Sequence, residues 1–476
     1  MRTLYIKILI VALYLISACS RIKTYTVLDE PPLIFPDYSE VVIPPNIAPL
    51  NFYIHGNARR YMARIIAGSD SFDVFCRNSV KIPQKKWKRL LANNAGNNMT
   101  IKIFSKNEKG WKKYNDIALK IAIDKIDPFL AYRLIEPGYV YWDKMGIYQR
   151  NIESFEEKPI LLNTLTGGSC MNCHSFSQNN PEKMLLHIRA VNAGTIFIDN
   201  KQITKVDTRT PDNISAAVYP RWHPQGRFVA FSTNLTSQAF HTTSNNLIEV
   251  YDSASDLIIY DTETNTIYSH PLISSSERFE THPEWSPDGK WLYFCSAPAI
   301  KMPENYDSLR YDIFRIDFDH ETGKIGNNKK LVWQASTSGK TVAFPRISPD
   351  GKYMLVCVFD YGTFPVWHKE SDLYIIDLET GDERNTAEIN SNESESYHSW
   401  STNGKWLAFT SRRIDGMYSR LYIAHFDETG KFKKPFLLPQ KNPKKYEISL
   451  KSYNVPEFLT GKVEVKMRKL EKKVKK

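Results

Sequence analysis

Beyond its first eighteen residues, this chain of 476 has no apolar run long enough to cross a bilayer. A spanning helix needs about 20 consecutive apolar residues, so everything after the N-terminus reads as water-soluble. G-x-S-x-G, H-E-x-x-H and the phosphate-cradling G-x-x-x-x-G-K-S/T are also missing. With them go the signatures of nucleophile-elbow hydrolases, zinc peptidases and P-loop nucleotide enzymes. Net charge is +11, but the body of the chain has little of it. Residues 462–476 hold +6 and the first eighteen +2, leaving +3 for residues 19–461. That is no nucleic-acid footprint. The basic C-terminal stretch reads as a solvated tail, or as a weak attraction to anionic lipid headgroups.

Cysteine is scarce too, at six residues, yet two of them stand in Gly167-Gly-Ser-Cys170-Met-Asn-Cys173-His174-Ser-Phe176. This stretch contains C-x-x-C-H, the attachment pattern of a c-type haem. The two thiols can each bond one vinyl group of a single porphyrin, and the His that follows stands where its imidazole can ligate the iron. At this abundance of Cys and His, composition alone supplies roughly 0.002 such matches. A structural disulfide beside a bystander His, or half of a zinc site, are the alternatives. The pattern implies one covalent haem c on Cys170 and Cys173, with His174 as axial ligand, provided the chain is exported to where haem is attached.

The N-terminus bears on that proviso. Arg2 and Lys7 precede an apolar run from Ile8 to Ala18, too short to span and shaped like a signal peptide. Its end, Ile16-Ser-Ala-Cys19, resembles a bacterial lipobox, which makes Cys19 the lipidated first residue of the mature chain. An ordinary secretory signal with an accidental Cys is the alternative. Acyl chains on one residue hold a soluble domain at a membrane surface. Ser20-Arg-Ile-Lys23 carries no acidic run, which favours a periplasm-facing domain in the bacterial cell envelope. With Cys19 lipidated and Cys170 and Cys173 on haem, the odd remainder of Cys76, Cys295 and Cys357 reads as buried hydrophobes.

After the signal peptide (1–18), residues 19–48 read as a tether interrupted by Pro31-Pro32, Pro36 and Pro44-Pro45. Residues 49–126 alternate with period two, as in Phe72-Asp-Val-Phe75, and read as a small β-sandwich-like domain. A short helix is expected over 85–91, with Trp87, Leu90 and Leu91 on one face. From 127 to 440 the chain repeats itself. Tyr219-Pro-Arg-Trp-His-Pro-Gln-Gly226, His282-Pro-Glu-Trp-Ser-Pro-Asp-Gly289, Phe344-Pro-Arg-Ile-Ser-Pro-Asp-Gly351 and Tyr397-His-Ser-Trp-Ser-Thr-Asn-Gly404 each lead into a strand. Their glycines lie 63, 62 and 53 residues apart, a spacing that signals a propeller or another repeat array. Strand, turn and three more strands make a propeller blade. Two further blades fit over 127–165 and 167–210, the second holding the haem motif. The expectation is an all-β chain with a six-bladed propeller; seven blades, counting the N-terminal region, is the runner-up. Residues 441–476 are left as a C-terminal segment with a basic tail.

These units resemble TolB-like β-propeller repeats, and the whole chain is similar to exported lipoproteins that join such a propeller to a single C-x-x-C-H. The resemblance rests on Ile16 to Cys19, Ser169 to Phe176 and the four turns. It implies the fold and the haem, and no settled reaction. Aligning Met184-Leu-Leu-His187 with Phe228 to Phe231 places Cys173 and His174 just before an innermost strand, at the mouth of the channel. The long connections 234–255, 297–311 and 359–371 should open on that face. A sixth iron ligand has three candidates. His187 falls in a core column, and a satisfied core His is its alternative. His282 and His398 begin innermost strands, where capping or channel-lining hydrogen bonds are theirs. Met184 and His223 read as core and turn residues, and an open sixth position stands beside them. Three functions follow. The favoured one is a membrane-anchored monohaem cytochrome that passes electrons to or from a redox partner on the loop face. The others are a protein- or glycan-binding scaffold with structural or absent haem, and a haem-based sensor or enzyme.

Overall fold

The structure is a computed structural model that describes Ile22 and residues 24–136, 144–242 and 246–476, with the side chain of Asn172 left aside. The expected signal peptide and lipidation site, Cys19, lie outside the described residues. Six successive sheets carry the chain from Phe129 to Leu459. Their innermost strands are Ser452–Leu459, Met171–Phe176, Ala217–Trp222, Arg278–Trp285, Thr341–Ile347 and Glu395–Trp400, and we number blades 1 to 6 in that order. Each innermost strand touches the next, and the sixth returns to the first. That closed ring makes the molecule a β-propeller and leaves no free sheet edge at its centre.

The repeated turn explains why the blades form. Ser286 Oγ donates to Asp288 Oδ1 (2.6 Å) and accepts from the N–H of Trp291 (3.0 Å). Asp288 Oδ1 accepts from the N–H of Lys290 (3.1 Å), and Gly289 sits at φ +72°, where a Cβ is disfavoured. Ser348, Asp350 and Gly351 repeat the arrangement, as do Ser401, Asn403 and Gly404. In three blades a Trp before the turn bolts neighbouring blades together, where the Ser348 turn has Ile347 instead. Trp222, Trp285 and Trp400 donate their indole N–H to the backbone oxygens of Ser175, Arg221 and Arg346, each on the preceding innermost strand.

Three expectations need correction. Residues 26–43 are not a tether: Thr26–Val27 and Val42–Ile43 pair with the seven-stranded sheet of the N-terminal domain, and Ile34–Phe35 with a second sheet of three. Proline limits these strands to two residues without preventing pairing at a sheet edge. Both sheets and the helix Gln84–Asn93, which buries Trp87, Leu90 and Leu91, share one core. The N-terminal region adds no blade. Second, the propeller does not end at 440. Ser452–Leu459 pairs antiparallel with Phe129–Ile135 and supplies blade 1 with its innermost strand.

Third, the basic end is no solvated tail. The helix Met467–Val474 lies against the outer strands of blades 1 and 2, Glu157–Leu162 and Gln202–Val206. Its lysines stay wet while Leu470 and Val474 are buried, and Lys205 Nζ donates to the Val474 backbone oxygen (2.7 Å). The helix therefore straps the seam between the first blade and the second. Leu470→Ala is expected to cost about 2–5 kcal/mol, as truncation of a buried Leu does. Denaturant unfolding reads the loss, and faster amide exchange in 202–206 would place it at the seam.

Candidate functional site at the channel mouth

Every innermost strand carries a β-bulge at the same level. The register slips between Val218 and Arg221, Thr281 and Glu284, Ala343 and Arg346, Ser396 and His398, and Met171 and Cys173. In blade 1 it slips between Asn454 and Glu457, opposite Arg133 and Ala131. Tyr219 (φ 48°), His282 (51°), Phe344 (53°), Tyr397 (21°) and Val455 (50°) occupy these bulges in the left-handed region. Bulky side chains pay strain there, of order 1–3 kcal/mol each, and such outliers gather at functional sites. The aromatic rings meet across the channel: Tyr219 and His282 centroids lie 4.6 Å apart, His282 and Phe344 4.3 Å, Phe344 and Tyr397 4.8 Å.

By register, the next level down is one residue from each blade: Glu457, His174, Arg221, Glu284, Arg346 and Ser399. Glu284 Oε2 holds Arg221 Nε (2.6 Å) and Arg346 Nη1 (3.2 Å). Glu457 accepts the N–H of Phe176 (3.0 Å), and its Oε1 lies 3.8 Å from His174 Nε2. Burial raises the Glu457 carboxyl to about 7, with Arg221 opposing. Burial also drives His174 down to about 3; Arg133 pushes the same way and the Val455 backbone opposes. Neither ring nitrogen of His174 makes a hydrogen bond, and the residue is 3% exposed.

The C-x-x-C-H stretch opens on this channel. Cys173 and His174 lie within the innermost strand Met171–Phe176 and not ahead of it, a correction that puts His174 in the charged ring. Cys170 and Cys173 are buried free thiols. Burial raises Cys170, and Cys173 Sγ accepts the N–H of Tyr219 (3.4 Å). Cys170, Cys173 and His174 line one cavity of about 590 Å³, within the range that holds cofactors. Thr236, Gln238 and Phe240 line it from the far end of the strand Phe228–Phe240, which extends into the expected 234–255 connection, Phe364 and Trp367 from the 359–371 connection, and Met417 from a shorter one; among the described residues the 297–311 connection supplies no lining residue. Three observations fit a covalent haem here: two thiols outside any disulfide, a buried imidazole that makes no hydrogen bond and has Glu457 only at 3.8 Å, and a cavity common to all three. Among the described residues no group of three His, Cys, Asp or Glu could hold a metal ion directly.

The sixth-ligand candidates stand apart from this cavity. His187 is buried in the second strand of blade 2, with Nδ1 3.0 Å from Thr195 Oγ1, and lines a different cleft. His398 is held by the Leu355 backbone oxygen at Nε2 (3.0 Å). His282 sits in the ring of bulge residues between Tyr219 and Phe344 with both ring nitrogens unpartnered, and burial holds it well below an ordinary histidine. His282→Phe should therefore stabilise the fold by about 1–3 kcal/mol, the cost of two buried unpaired polar atoms. The gain should grow as pH falls below 6.5, because only the unfolded His282 then takes up a proton. Thermal melts at pH 5 and 8 check this. A destabilised variant would mean that His282 has a partner in the channel. Other residues of the cavity gave no signal in the sequence. Arg189 and Arg412 come from two different loops, and the thioethers of Met145 and Met417 have no spacing relation to the motif.

No family model matches this chain, and no curated protein does. Solved structures similar to it include a puromycin-hydrolyzing peptidase of Mycobacterium tuberculosis (12% identity, TM-score 0.37), with 73% of this chain covered and 52% of that one. An oligogalacturonate lyase in complex with manganese shares 14% identity over 69% of this chain and 86% of its own, at TM-score 0.33. A DUF4784 family protein from Bacteroides caccae shares 9% over 76% and 96%, at TM-score 0.32. This chain thus spans about half the length of the peptidase.

Proposed function

We propose that this chain is a monohaem c-type cytochrome built on a β-propeller, exchanging single electrons with a partner that docks on the loop face. The observation that carries the reading is the unpartnered His174 imidazole beside two free thiols in one cavity. Cys170 and Cys173 would hold the porphyrin through thioether bonds and His174 would ligate the iron. The haem would supply one-electron ferric/ferrous chemistry. The chain's own residues set its surroundings. Phe344 and Tyr397 floor the cavity, and the Arg221–Glu284–Arg346 bridge fixes fixed charge beneath it. Anchorage through lipid on Cys19, with the domain facing the periplasm, belongs to the same proposal. No helix among the described residues is long and apolar enough to cross a membrane.

A docked partner is supported by where apolar side chains stay in water. Val191, Phe240, Leu247 and Met417 are more than half exposed; Phe240 ends a second strand and the others lie in connections between second and third strands. Ile448 and Leu450, at 70% and 64%, immediately precede the innermost strand of blade 1. Apolar patches of this kind, gathered on one face, mark interaction surfaces. The same patch would serve a binding scaffold, the second reading. The test is a visible spectrum of dithionite-reduced protein, made with a working haem-attachment system and extracted with acid-acetone. A c-type spectrum that stays with the polypeptide is the expected result; a colourless protein ends the cytochrome reading and leaves the scaffold. Carbon monoxide added to the reduced protein then separates an electron carrier from a sensor or enzyme with an open iron.

A further inference from the structure

The cavity at the channel mouth is cationic. Arg133, Arg189, Arg346 and Arg412 line it, against one carboxylate among the described residues, Glu136. Two of these arginines are committed: Arg346 to Glu284 (3.2 Å) and Arg133 to the Tyr397 hydroxyl. Glu136 lies 3.9 Å from Lys451 Nζ. Arg412 is 5% exposed, its guanidinium rests 3.6 Å over the Trp367 ring, and its Nε has no hydrogen-bond partner. The acids nearest to it are engaged elsewhere, Glu393 with Lys369 (3.1 Å) and Asp415 with Arg420 (3.7 Å). Arg189 is half-buried, and its backbone N–H donates to the Cys170 carbonyl (2.9 Å), which ties it to the motif. A buried guanidinium without a carboxylate is costly unless a ligand supplies the anion, and a planar fork of donors matches a carboxylate.

We infer that Arg189 and Arg412 receive carboxylates at the channel mouth, those of the porphyrin's two propionate side chains when haem is attached. The source of the carboxylates rests on the cytochrome reading; the anion site does not. A free dicarboxylate would meet the same two guanidiniums.

The experiment uses the full haem-loaded protein and an Arg189→Gln/Arg412→Gln double variant, compared by redox titration. Without the two cations the propionate charge is uncompensated and the ferric state gains. A tenfold shift of the ferric/ferrous ratio toward ferric is expected, about 59 mV downward for one electron. Arg189→Lys/Arg412→Lys should restore most of it, and the single variant Arg189→Gln, at the half-buried position, stands in if the double Gln variant fails to fold, with a smaller downward shift expected. A potential equal to wild type in the double Gln variant, or in Arg189→Gln used in its place, overturns the inference. If wild-type protein carries no haem, the cytochrome reading has failed, and succinate is titrated into it by calorimetry instead. Binding weakened tenfold or more in the double variant assigns the site to a free dicarboxylate. No binding to wild type overturns the anion site.

Discussion

A Cys170→Ala/Cys173→Ala double variant is expected to purify colourless and folded. Haem loss should be complete, because both thioether bonds go and His174 alone must then retain a porphyrin in a cavity open to the loop face. Folding should survive because neither thiol holds the ring together. Both are small buried side chains outside any disulfide, and their loss removes little apolar surface, about 0.8 kcal/mol per methylene-sized group. Cys173 costs more, since the Tyr219 N–H then loses its acceptor, adding about 1–3 kcal/mol. The blades keep their Trp bolts and the closing strand throughout. The visible spectrum and a circular-dichroism melt, taken on one sample, separate the cofactor from the scaffold. A variant that retains covalent haem would place the attachment elsewhere, and one that unfolds would make haem part of the fold.

What could be read from the sequence was whatever depends on neighbours in sequence. The Ser-Pro-Asp-Gly turn satisfies its hydrogen bonds within five residues, so its spelling survives in two blades and, as Ser-Thr-Asn-Gly, in a third, and marks each one. The C-x-x-C-H motif is legible for the same reason. Closure of the ring is not, since Phe129–Ile135 and Ser452–Leu459 pair across more than three hundred residues. A trace of it was there: Val455-Pro-Glu-Phe458 echoes His282-Pro-Glu-Trp285 and Tyr219-Pro-Arg-Trp222, the spelling of an innermost strand without its turn. The strands of 26–43 left even less, because two-residue pairings have no period. Arg189 and Arg412 belong to loops of separate blades, and only the folded ring brings them together. Periodicity reports which way a side chain faces along its own strand, and says nothing of what a distant blade sets opposite it.

Glu284→Gln should produce the largest loss of stability of any conservative change in the channel, about 3–5 kcal/mol. It keeps the shape of the side chain and removes the one carboxylate that bridges Arg221 and Arg346. Removing one partner of a buried ion pair costs more than the pair contributes, because the remaining charge stays desolvated; here two guanidiniums are left. Burial already pulls Arg346 down to about 10, with Arg221 adding to it. Glu457 then becomes the nearest carboxylate of the ring. In the wild type burial holds it near 7, above its ordinary 4.5, and Glu284 adds to that rise. Between those values the folded chain binds a proton that the unfolded chain has released, so this group lowers stability as pH climbs from 4.5 to 7. Without Glu284 the Glu457 pKa falls and that window narrows. The deficit of the variant should therefore shrink between pH 5 and pH 8, while the wild type gains no such relief. Denaturant melts at the two pH values read the difference. Adding Arg346→Met, which removes the second orphaned charge, should recover part of the loss, and the double-mutant cycle isolates the coupling. A deficit that is flat with pH would mean that Glu457 and Glu284 do not share one field across the channel.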